Sequence, residues 1–371
     1  QGEKLILNDS NKALDVESTG ELKVDGIISV VAGNLENDGN IIFVSTSAGT
    51  GQFDTFSGTI SGTGEITVER YIPAKRAFRL LASAVTTSDF IFENWQESGS
   101  MPTTPDGLGT HITGGSASLG FDQSGSNNPS MFTFKNSFVP SGLQTQFDAW
   151  TALPNTNAKR LNAGEAYLTL VRGDRTIDLT NSNDPANNTT LSATGELFTG
   201  SLNYTVGNPI EYLNLSGEND FYNLVANPYQ AIVDYTATSK TGLTDFIYIW
   251  DATIAGNNGN GGYATVDITG NTTPPNPFSS DASQFIAPGM SFFVQNDNAP
   301  GNASITFNEA DKTTGQTQVT VFNTYPYFYI NSRLYKSADL QNGKTECDAI
   351  GLRFNSNFTT LGNNNEDATK L

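Results

Sequence analysis

The chain has 371 residues, which is long enough to bury a hydrophobic core of its own without disulfide bonds. Its 38 acidic and 19 basic side chains give a formal net charge of −19, which repels phosphate backbones and anionic lipid headgroups. We therefore expect neither nucleic acid nor docking on an anionic membrane surface. No apolar run reaches the about 18 residues of a membrane span, so we expect no direct insertion into a membrane. A single cysteine and a single histidine exclude an internal disulfide bond and a metal site built from several such residues.

Residues 1–68 are predicted to form short parallel β-solenoid coils. Apolar residues recur every few positions, and Gly, Asn and Asp interrupt them too often for a helix, as in residues 33–40. A coarse repeat of about ten to twenty residues is typical of a solenoid, in which stacked coils bury apolar faces that one coil leaves exposed. A meander of β-hairpins is the alternative that this pattern leaves open.

Residues 69–303 are predicted to form a β-sandwich of the jelly-roll type. Strand-like runs such as 79–85, 131–134 and 246–250 are separated by frequent turns, and no segment has a helical period. Long polar loops join them, among them residues 99–128. Loops of this length in a compact domain are usually functional or disordered.

One pair of runs in this region indicates a hairpin. The strand-like segments 166–172 and 175–179 flank Gly173-Asp174, and a two-residue loop that begins with glycine is typical of a type II′ turn. Arg172-Gly173-Asp174 also spells an integrin-binding tripeptide. The simpler interpretation makes Gly173-Asp174 the turn and pairs Arg172 and Arg175 with nearby carboxylates.

Residues 304–371 are predicted to be a C-terminal β region. Strand-like runs occur at 318–322, 327–330 and 349–354, and an Asn-rich segment follows them at 363–371. That ending has no capping pattern. We therefore expect the chain to be part of a longer protein. The complete fold prediction is all-β, with solenoid coils, a β-sandwich and a third β region in that order.

Motifs of catalysis are missing from the sequence. It contains no G-x-S-x-G, P-loop, H-E-x-x-H or Rossmann fingerprint. His111 lies in a glycine-rich loop, and Cys347 lies between two acidic residues that do not activate a thiol. The sequence therefore predicts a protein that is not an enzyme. A glycosidase needs only two carboxylates. The sequence leaves open whether two carboxylates on different strands lie close enough together to act as such a pair.

Two candidate binding sites follow from residue type. Tyr248 and Trp250 lie on one strand with alternating side chains, so they could stack on a sugar ring, with core packing as the alternative. Asn183 and Asp184 offer the oxygen ligands that Ca²⁺ prefers, with a solvated loop as the alternative. No other cofactor is expected.

A set of short motifs carries a resemblance to a known class of proteins. The motifs occur in a consistent order over about residues 60–300: Thr67-Val68-Glu69-Arg70-Tyr71-Ile72-Pro73, Arg76-Ala77-Phe78-Arg79-Leu80-Leu81-Ala82-Ser83, Asn94-Trp95-Gln96-Glu97, Gly109-Thr110-His111-Ile112-Thr113-Gly114, Ser126-Asn127-Asn128-Pro129-Ser130, Val171-Arg172-Gly173-Asp174-Arg175 and Leu224-Val225-Ala226-Asn227-Pro228-Tyr229-Gln230. Together they resemble segments of large exported proteins of Bacteroidota, especially flavobacteria. That family is similar to adhesin-like and gliding-associated surface proteins exported by the type IX secretion system.

The resemblance implies a location and a class of function. Such proteins commonly place solenoid coils before a segment of this kind and a sorting domain at the C-terminus, which is not recognisable here. The resemblance implies an extracellular, outer-membrane-associated protein, and it transfers no catalytic residue. His111 and the Arg-Gly-Asp tripeptide then belong to the family pattern.

The expected function is a non-enzymatic structural or adhesive module of a secreted cell-surface or filament-forming protein. Its expected partners are neighbouring subunits, other surface proteins or glycans. Exposed sheet edges at a solenoid end need a cap or a partner, so self-association is expected. The alternative is a carbohydrate-binding module of a secreted polysaccharide-degrading protein. A β-helix lyase or glycosidase is the third hypothesis, although about four visible coils are few for a catalytic groove.

Overall fold

The computed structural model of the protein describes residues 4–101, 107–181, 184–252, 254, 261–270, 280–298, 301–314 and 316, and the backbone of 328–334 and 348–354. These residues are all-β, as predicted, and their helical segments are 3-10 turns of three or four residues. None of these helices is long and apolar enough to cross a membrane. The chain divides into two compact units, residues 1–323 and 324–371. The predicted boundaries at 68/69 and 303/304 stay predictions.

The first nine strands pair mainly in parallel: β1 (Lys4–Val16), β2 (Glu21–Val24), β3 (Ile27–Asn37), β4 (Asn40–Phe43), β5 (Ser45–Thr46), β6 (Gly49–Thr50), β7 (Gln52–Phe53), β8 (Thr59–Ser61) and β9 (Glu65–Ile72). We call them the parallel stack. In one sheet β3 pairs in parallel with β1, β7 and β8, and in another β4 pairs in parallel with β2 and β9. The short strands β5 and β6 form an antiparallel pair.

The register repeats where β3 and β4 pair with β7, β8 and β9. Ile27 pairs with Gln52, Asn34 with Thr59 and Asn40 with Glu65, and all three pairs have the same sequence offset. Apolar side chains at corresponding positions, such as Ile41 and Ile66, are buried in a common core. One level of strands therefore lies directly on the next, and the levels share one interior.

Glycines make this close stacking possible at one corner. A Cβ atom on Gly39 would lie 2.3 Å from the carbonyl oxygen of Gly20, and a Cβ atom on Gly64 would lie 2.3 Å from that of Gly39. The following N–H groups use the same carbonyls: Asn40 donates to Gly20 and Glu65 donates to Gly39. Any side chain at these glycines would push neighbouring levels apart.

Replacing Gly39 with alanine is expected to lower the free energy of unfolding by about 1 to 3 kcal/mol, the usual cost of added atoms in a packed region. Gly125→Ala is the matched control, because a Cβ atom there meets nothing within 4 Å. Urea unfolding followed by circular dichroism measures both. Equal stabilities of the two variants would contradict the stacked-glycine account.

The next sixteen strands form the remainder of the first unit: β10 (Ala77–Ala82), β11 (Val85–Thr87), β12 (Met131–Phe134), β13 (Trp150–Ala152), β14 (Ala166–Val171), β15 (Thr189–Leu197), β16 (Leu202–Val206), β17 (Asn214–Leu215), β18 (Tyr222–Ala226), β19 (Val233–Asp234), β20 (Ser239–Thr241), β21 (Leu243–Asp251), β22 (Gly262–Asp267), β23 (Phe285–Ile286), β24 (Ser291–Asn296) and β25 (Ser304–Phe307). We call β10–β25 the body. Its 3-10 turns are Glu97–Gly99, Ala117–Leu119, Gln146–Ala149, Glu211–Leu213 and Glu309–Asp311.

In the residues of the body that the structure describes, there are three four-stranded sheets and a short two-stranded sheet. The sheet orders are β10-β14-β12-β13, β17-β16-β25-β20, β18-β24-β21-β22 and β19-β23. A fifth sheet, β11-β15-β9-β4-β2, is shared with the parallel stack: β9 pairs in parallel with β4 on one side and antiparallel with β15 on the other. The parallel stack therefore continues into the body through one hydrogen-bonded sheet.

Side chains and backbone groups of both parts also join them outside this sheet. The carbonyl of Gln230 accepts the N–H of Phe53 at 2.6 Å, and its side-chain amide donates to the carbonyl of Gly51 at 2.8 Å. In return, Oε1 of Gln52 accepts the N–H of Ile232 at 2.9 Å. These hydrogen-bonding side-chain and backbone groups lie in the interior, where such bonds are protected from water.

A buried lysine adds to the same junction. The ammonium of Lys312 lies 5.4 Å from the ring centroid of Phe53 in the parallel stack and 4.6 Å from that of Tyr229 in the body. It forms an ion pair with Glu309 at 2.7 Å. Burial lowers the pKa of Lys312, and the charge of Glu309 opposes this shift. One hydrophobic cluster runs from Val16 to Phe307 across this junction.

The predicted hairpin at Gly173-Asp174 is wrong. Its first strand exists as β14, but residues 175–179 form turns rather than a strand. The carboxylate of Asp174 accepts the backbone N–H of Thr176 at 2.8 Å, a local contact that favours a turn over a ladder. The partners of β14 are instead β10 and β12.

The second unit contains an antiparallel pair, β26 (Phe328–Leu334) and β27 (Asp348–Phe354). The register joins Phe328 with Phe354 and Leu334 with Asp348. These strands include most of the strand-like runs predicted at 327–330 and 349–354. Cys347 and the predicted strand at 318–322 fall in parts of the chain that the structure does not describe.

Candidate ligand-binding surface

Tyr248 and Trp250 lie on the same face of the sheet β18-β24-β21-β22. They alternate along β21 with Ile247 and Ile249, which belong to the main hydrophobic cluster. Both faces of this sheet are thus apolar, whereas one face of an antiparallel sheet is commonly solvated. The face that carries Tyr248 and Trp250 packs against a second, smaller hydrophobic cluster.

Aromatic rings surround Phe293 on this face. Phe293 contacts the rings of Phe134, Trp150, Tyr222 and Tyr263 at centroid distances between 5.1 and 6.4 Å. All four contacts are edge-to-face, a favoured geometry for aromatic pairs. Tyr248 joins the group through Tyr222, and Trp250 joins it through Tyr263. We call these seven residues the aromatic cluster.

The cluster joins two sheets. Phe134 and Trp150 come from β12 and β13, and Phe293 comes from β24 of the other sheet. The two sheets also touch directly, because Leu81 and Met290 form an isolated β-bridge. Part of the surface of these aromatic rings is therefore buried in the contact between the two sheets.

Both ring residues singled out from the sequence are half-buried and hydrogen-bonded. The indole Nε1 of Trp250 donates to the carbonyl of Phe78 at 2.7 Å, and the hydroxyl of Tyr248 donates to Oε1 of Gln295 at 3.0 Å. Burial raises the pKa of Tyr248 to about 12, and the neighbouring Tyr222 adds to that shift. Tyr248 is thus a neutral hydrogen-bond donor over the physiological pH range.

The most exposed rings of the cluster are two residues that sequence reasoning missed. Tyr222 is 37% exposed and Tyr263 is 43% exposed. Tyr263 lies directly opposite Trp250 in the pairing of β21 with β22. Pairing the run 263–266 with the run 246–250 would have revealed Tyr263, but local alternation alone does not say which strands are neighbours.

Two side-chain amides close the outer edge of β18, which carries Tyr222. Gln146 donates to the carbonyl of Tyr222 at 2.6 Å and accepts its N–H at 3.0 Å. Asn136 does the same for Leu224, at 3.1 and 2.7 Å. These amides replace the hydrogen bonds of a missing strand, so Tyr222 is held on a rigid edge.

The predicted calcium site is described only in part. Asn183 lies outside the described residues. Asp184 is half-buried, and its Oδ2 accepts the backbone N–H of Asp178 at 2.7 Å. In the described ranges, no three His, Cys, Asp or Glu side chains are grouped so as to hold a metal ion. The calcium site stays a prediction.

A second polar site lies in the interior of the body, around Asp122. Arg175 donates to this carboxylate from Nη1 at 3.0 Å and from Nη2 at 2.7 Å. Gln96 and the backbone N–H of Ile112 also donate to it, at 2.9 and 3.0 Å. Nδ1 of His111 lies 3.4 Å from Oδ1 of Asp122. We call Gln96, His111, Asp122 and Arg175 the polar network.

The polar network brings together three of the motifs that carry the sequence resemblance. Gln96 comes from the segment 94–97, His111 from 109–114 and Arg175 from 171–175. The network fixes the long loop from which Asp122 comes, although that loop has little regular structure. Arg175 was expected to pair with a nearby carboxylate, and its partner is instead 53 residues away in sequence.

The Arg-Gly-Asp tripeptide is not displayed. Arg172 is 8% exposed and Asp174 is 6% exposed, so neither charge is available to a receptor. Gly173 has a φ of 135° and would place a Cβ atom 2.2 Å from the side chain of Asn187. The glycine is therefore required by packing.

The charge state of Asp122 is set by its neighbours. Burial by itself would raise the pKa of Asp122, but the hydrogen bonds and the charge of Arg175, with His111 beside the carboxylate, outweigh burial. The pKa of Asp122 is therefore well below its usual range. The carboxylate stays ionised and paired in the folded protein at every pH above strongly acidic values.

This shift predicts a pH dependence of stability. The pKa of Asp122 is lower in the folded protein than in the unfolded chain, so the carboxylate stabilises the fold fully when the pH is above the unfolded pKa, about 3.9. This contribution is lost as the pH falls from there through the folded pKa. Asp122→Asn is expected to reduce the slope of unfolding free energy against pH below about pH 4. Urea unfolding between pH 2 and 7 measures the slope, with the exposed Asp25→Asn as control. Parallel curves for wild type and Asp122→Asn would contradict the assignment.

Glu69 lies beside a small cavity, and its charge acts on the nearby Glu97. Burial raises the pKa of Glu69 and that of Glu97, and the charge of Glu69 adds to the shift at Glu97. Glu69, Trp95 and Gly289 are among the residues that line a cavity of about 20 Å³. That volume holds one water molecule, whereas small-molecule sites occupy about 300 to 1,000 Å³.

The chain was compared with protein-family models, with curated proteins and with solved structures. No match was found in any of the three comparisons.

Proposed function

We propose that the chain is a non-enzymatic structural or adhesive module of an exported cell-surface protein. In this proposal the parallel stack is a short β-solenoid that acts as a spacer. The body is a β-sandwich-like domain that presents a binding surface. The expected location is the outer surface of the cell, where the module contacts neighbouring subunits, other surface proteins or glycans.

The observation that carries the proposal is the shared strand β9. Because β9 pairs with β4 and with β15, displacement of the parallel stack is transmitted to the body through backbone hydrogen bonds. The buried Lys312 and the Gln230 contacts add packed links beside that sheet. Packed interiors transmit strain. A spacer joined in this way to a binding domain suits a protein that must bear load at a surface.

Two further observations support the detailed fold in this proposal. The equal offset with which β3 and β4 pair with β7, β8 and β9, and the glycines at one corner, are what a solenoid needs for stacking its coils. In the body, the aromatic cluster packs one four-stranded sheet against another, as the interior of a sandwich does.

Surface shaving tests the proposed location and role. Intact source cells are treated with protease, and the chain is followed by immunoblot. We expect a band that disappears on shaving and runs above the mass of a 371-residue chain. A band of that mass that is protected from protease would overturn the proposal.

A second candidate function rests on the exposed rings Tyr222 and Tyr263, which flank Phe293 at 6.4 and 5.8 Å. Aromatic rings that keep one exposed face can stack on sugars, so the body could be a carbohydrate-binding module of a polysaccharide-degrading protein. The net charge of −19 favours neutral glycans over acidic ones.

Calorimetric titration with neutral plant and algal polysaccharides tests this candidate. Tyr263→Ala is expected to weaken binding about tenfold, since one stacked ring contributes on the order of 1 kcal/mol. Val31→Ala, an exposed apolar change in the parallel stack, is the control and should bind like wild type. Flat titrations across the whole set would remove the candidate.

A further inference from the structure

The single histidine of the chain is buried in the polar network. His111 is 7% exposed, and oxygen atoms lie beside both nitrogens of its ring. Nε2 lies 2.9 Å from the backbone carbonyl oxygen of Arg175, and Nδ1 lies 3.4 Å from Oδ1 of Asp122. Each ring nitrogen of His111 therefore faces an atom that accepts hydrogen bonds and donates none.

The contact with Arg175 determines where the first proton of the ring lies. A backbone carbonyl oxygen carries lone pairs and no hydrogen atom, so it can only accept a hydrogen bond. Nε2 of His111 must therefore carry a proton and donate it to this carbonyl. Because a neutral imidazole has only one N–H group, Nδ1 of a neutral ring would be left with a bare lone pair.

The surroundings of Nδ1 make a bare lone pair unfavourable. Nδ1 is buried and makes no hydrogen bond to any residue that the structure describes. The carboxylate of Asp122 lies beside it and is ionised, since the pKa of Asp122 is well below its usual range. A bare Nδ1 would be an unsatisfied buried acceptor facing a negative oxygen, whereas a proton on Nδ1 makes the contact attractive.

The charges around His111 also favour a cationic ring. Three carboxylates and two guanidinium groups lie against the loop residues 107–122, which carry His111: Glu97, Asp122, Asp174, Arg172 and Arg175. When all three carboxylates are ionised, they outnumber the guanidinium groups by one. A cationic His111 balances this excess, and a buried charge without a partner is costly.

We propose that His111 is an imidazolium cation in the folded protein and fastens the loop 107–122 in a pH-sensitive way. The carboxylate of Asp122 accepts the N–H of Ile112 at 3.0 Å, and the N–H of Asp122 donates to the carbonyl of Ile112 at 2.8 Å. The loop therefore closes on itself at this carboxylate. Loss of the proton leaves a bare nitrogen beside the carboxylate and weakens the closure.

The expected pH dependence has a definite direction. Because the fold favours the protonated ring, the stability that this proton contributes is present below the pKa of an unfolded histidine, about 6.5, and is lost as the pH rises above it. The contribution of Asp122 is instead lost in acid. This inference goes beyond the proposed function and is tested on the purified full chain, so its failure would leave the shaving experiment to decide the surface role.

Nitrogen-15 NMR of the full chain, labelled at histidine, reads the charge of the ring. His111 is the only histidine, so the spectrum contains one pair of ring nitrogens. At pH 7 we expect both nitrogens of the wild type to be protonated. In Asp122→Asn, which removes the negative charge, we expect one protonated and one bare nitrogen. A bare Nδ1 in the folded wild type, or two protonated nitrogens in folded Asp122→Asn, would overturn the proposal.

Urea unfolding between pH 6 and 9 tests the link between this proton and stability, and it does not depend on Asp122→Asn being folded. The control is His111→Gln, whose side-chain amide can donate to the carbonyl of Arg175 but takes up no proton. Relative to this variant, the folding equilibrium constant of the wild type should fall by up to about tenfold per pH unit above about pH 6.5. Slopes are compared, so a general loss of stability in the variant does not affect the test. Parallel slopes would overturn the proposal.

Discussion

Replacing Arg175 with methionine is expected to lower the free energy of unfolding by about 3 to 5 kcal/mol. The guanidinium side chain is 5% exposed and binds both carboxylate oxygens of Asp122. Methionine keeps much of the volume but leaves the Asp122 carboxylate in the interior without its cation. A buried charge that loses its partner retains the full cost of desolvation. Urea unfolding at pH 7 measures the change.

Two companion variants separate the ion pair from packing. Arg175→Lys keeps a positive charge but cannot form two parallel hydrogen bonds, so it should recover only part of the loss. In the double variant D122N/R175M, no buried charge is left without a partner. The loss of unfolding free energy should therefore be smaller than the sum of the losses in the two single variants. An unfolding free energy of Arg175→Met within about 1 kcal/mol of wild type at pH 7 would contradict the assigned role.

Phe293→Ala is the second substitution with a large expected effect, about 3 to 5 kcal/mol. Phe293 is 6% exposed and contacts four other rings of the aromatic cluster. Its loss would leave a cavity between two sheets that also meet at the bridge of Leu81 with Met290. Because the structure around a core void relaxes only partially, most of the lost packing energy should appear in the unfolding free energy.

The matched control is Tyr263→Ala in the same cluster. Tyr263 is 43% exposed, so much of its ring is already in contact with water, and its removal should cost less than Phe293→Ala. Thermal unfolding of both variants measures the difference. A larger loss for Tyr263→Ala would mean that the cluster is centred elsewhere.

The strands were the most predictable part of the fold. The runs at 131–134, 246–250 and 290–294 alternate or are continuously apolar, and each is a strand in the structure. These patterns depend only on the residues within each strand, so they predict the strand without knowledge of which strands lie beside it. The hairpin at Gly173 failed because its turn signal is also local, while the distant Asp122 determines where Arg175 goes.

Long-range pairing limited the prediction of the candidate sites. Trp250 and Tyr248 follow from alternation in one strand, but Tyr222 and Tyr263 become relevant only when β18 and β22 are known to flank that sheet. The amide groups of Asn136 and Gln146 close an edge that no sequence pattern marks. In the polar network, residues from four separated segments meet, and their spacing in sequence has no regular period.

We infer that the parallel stack and the body unfold as one unit, because β9 is hydrogen-bonded to both. The three tryptophans, Trp95, Trp150 and Trp250, all lie outside the parallel stack. Trp95 lines a cavity together with Glu69 of β9, whereas Trp150 and Trp250 belong to the aromatic cluster and report on the interior of the body. The deciding measurement is urea unfolding of Gly39→Ala and wild type, followed by tryptophan fluorescence and by far-ultraviolet circular dichroism. We predict that the substitution in the stack lowers the fluorescence midpoint, together with the dichroism midpoint. An unchanged fluorescence transition, with an earlier separate loss of dichroism, would contradict the claim.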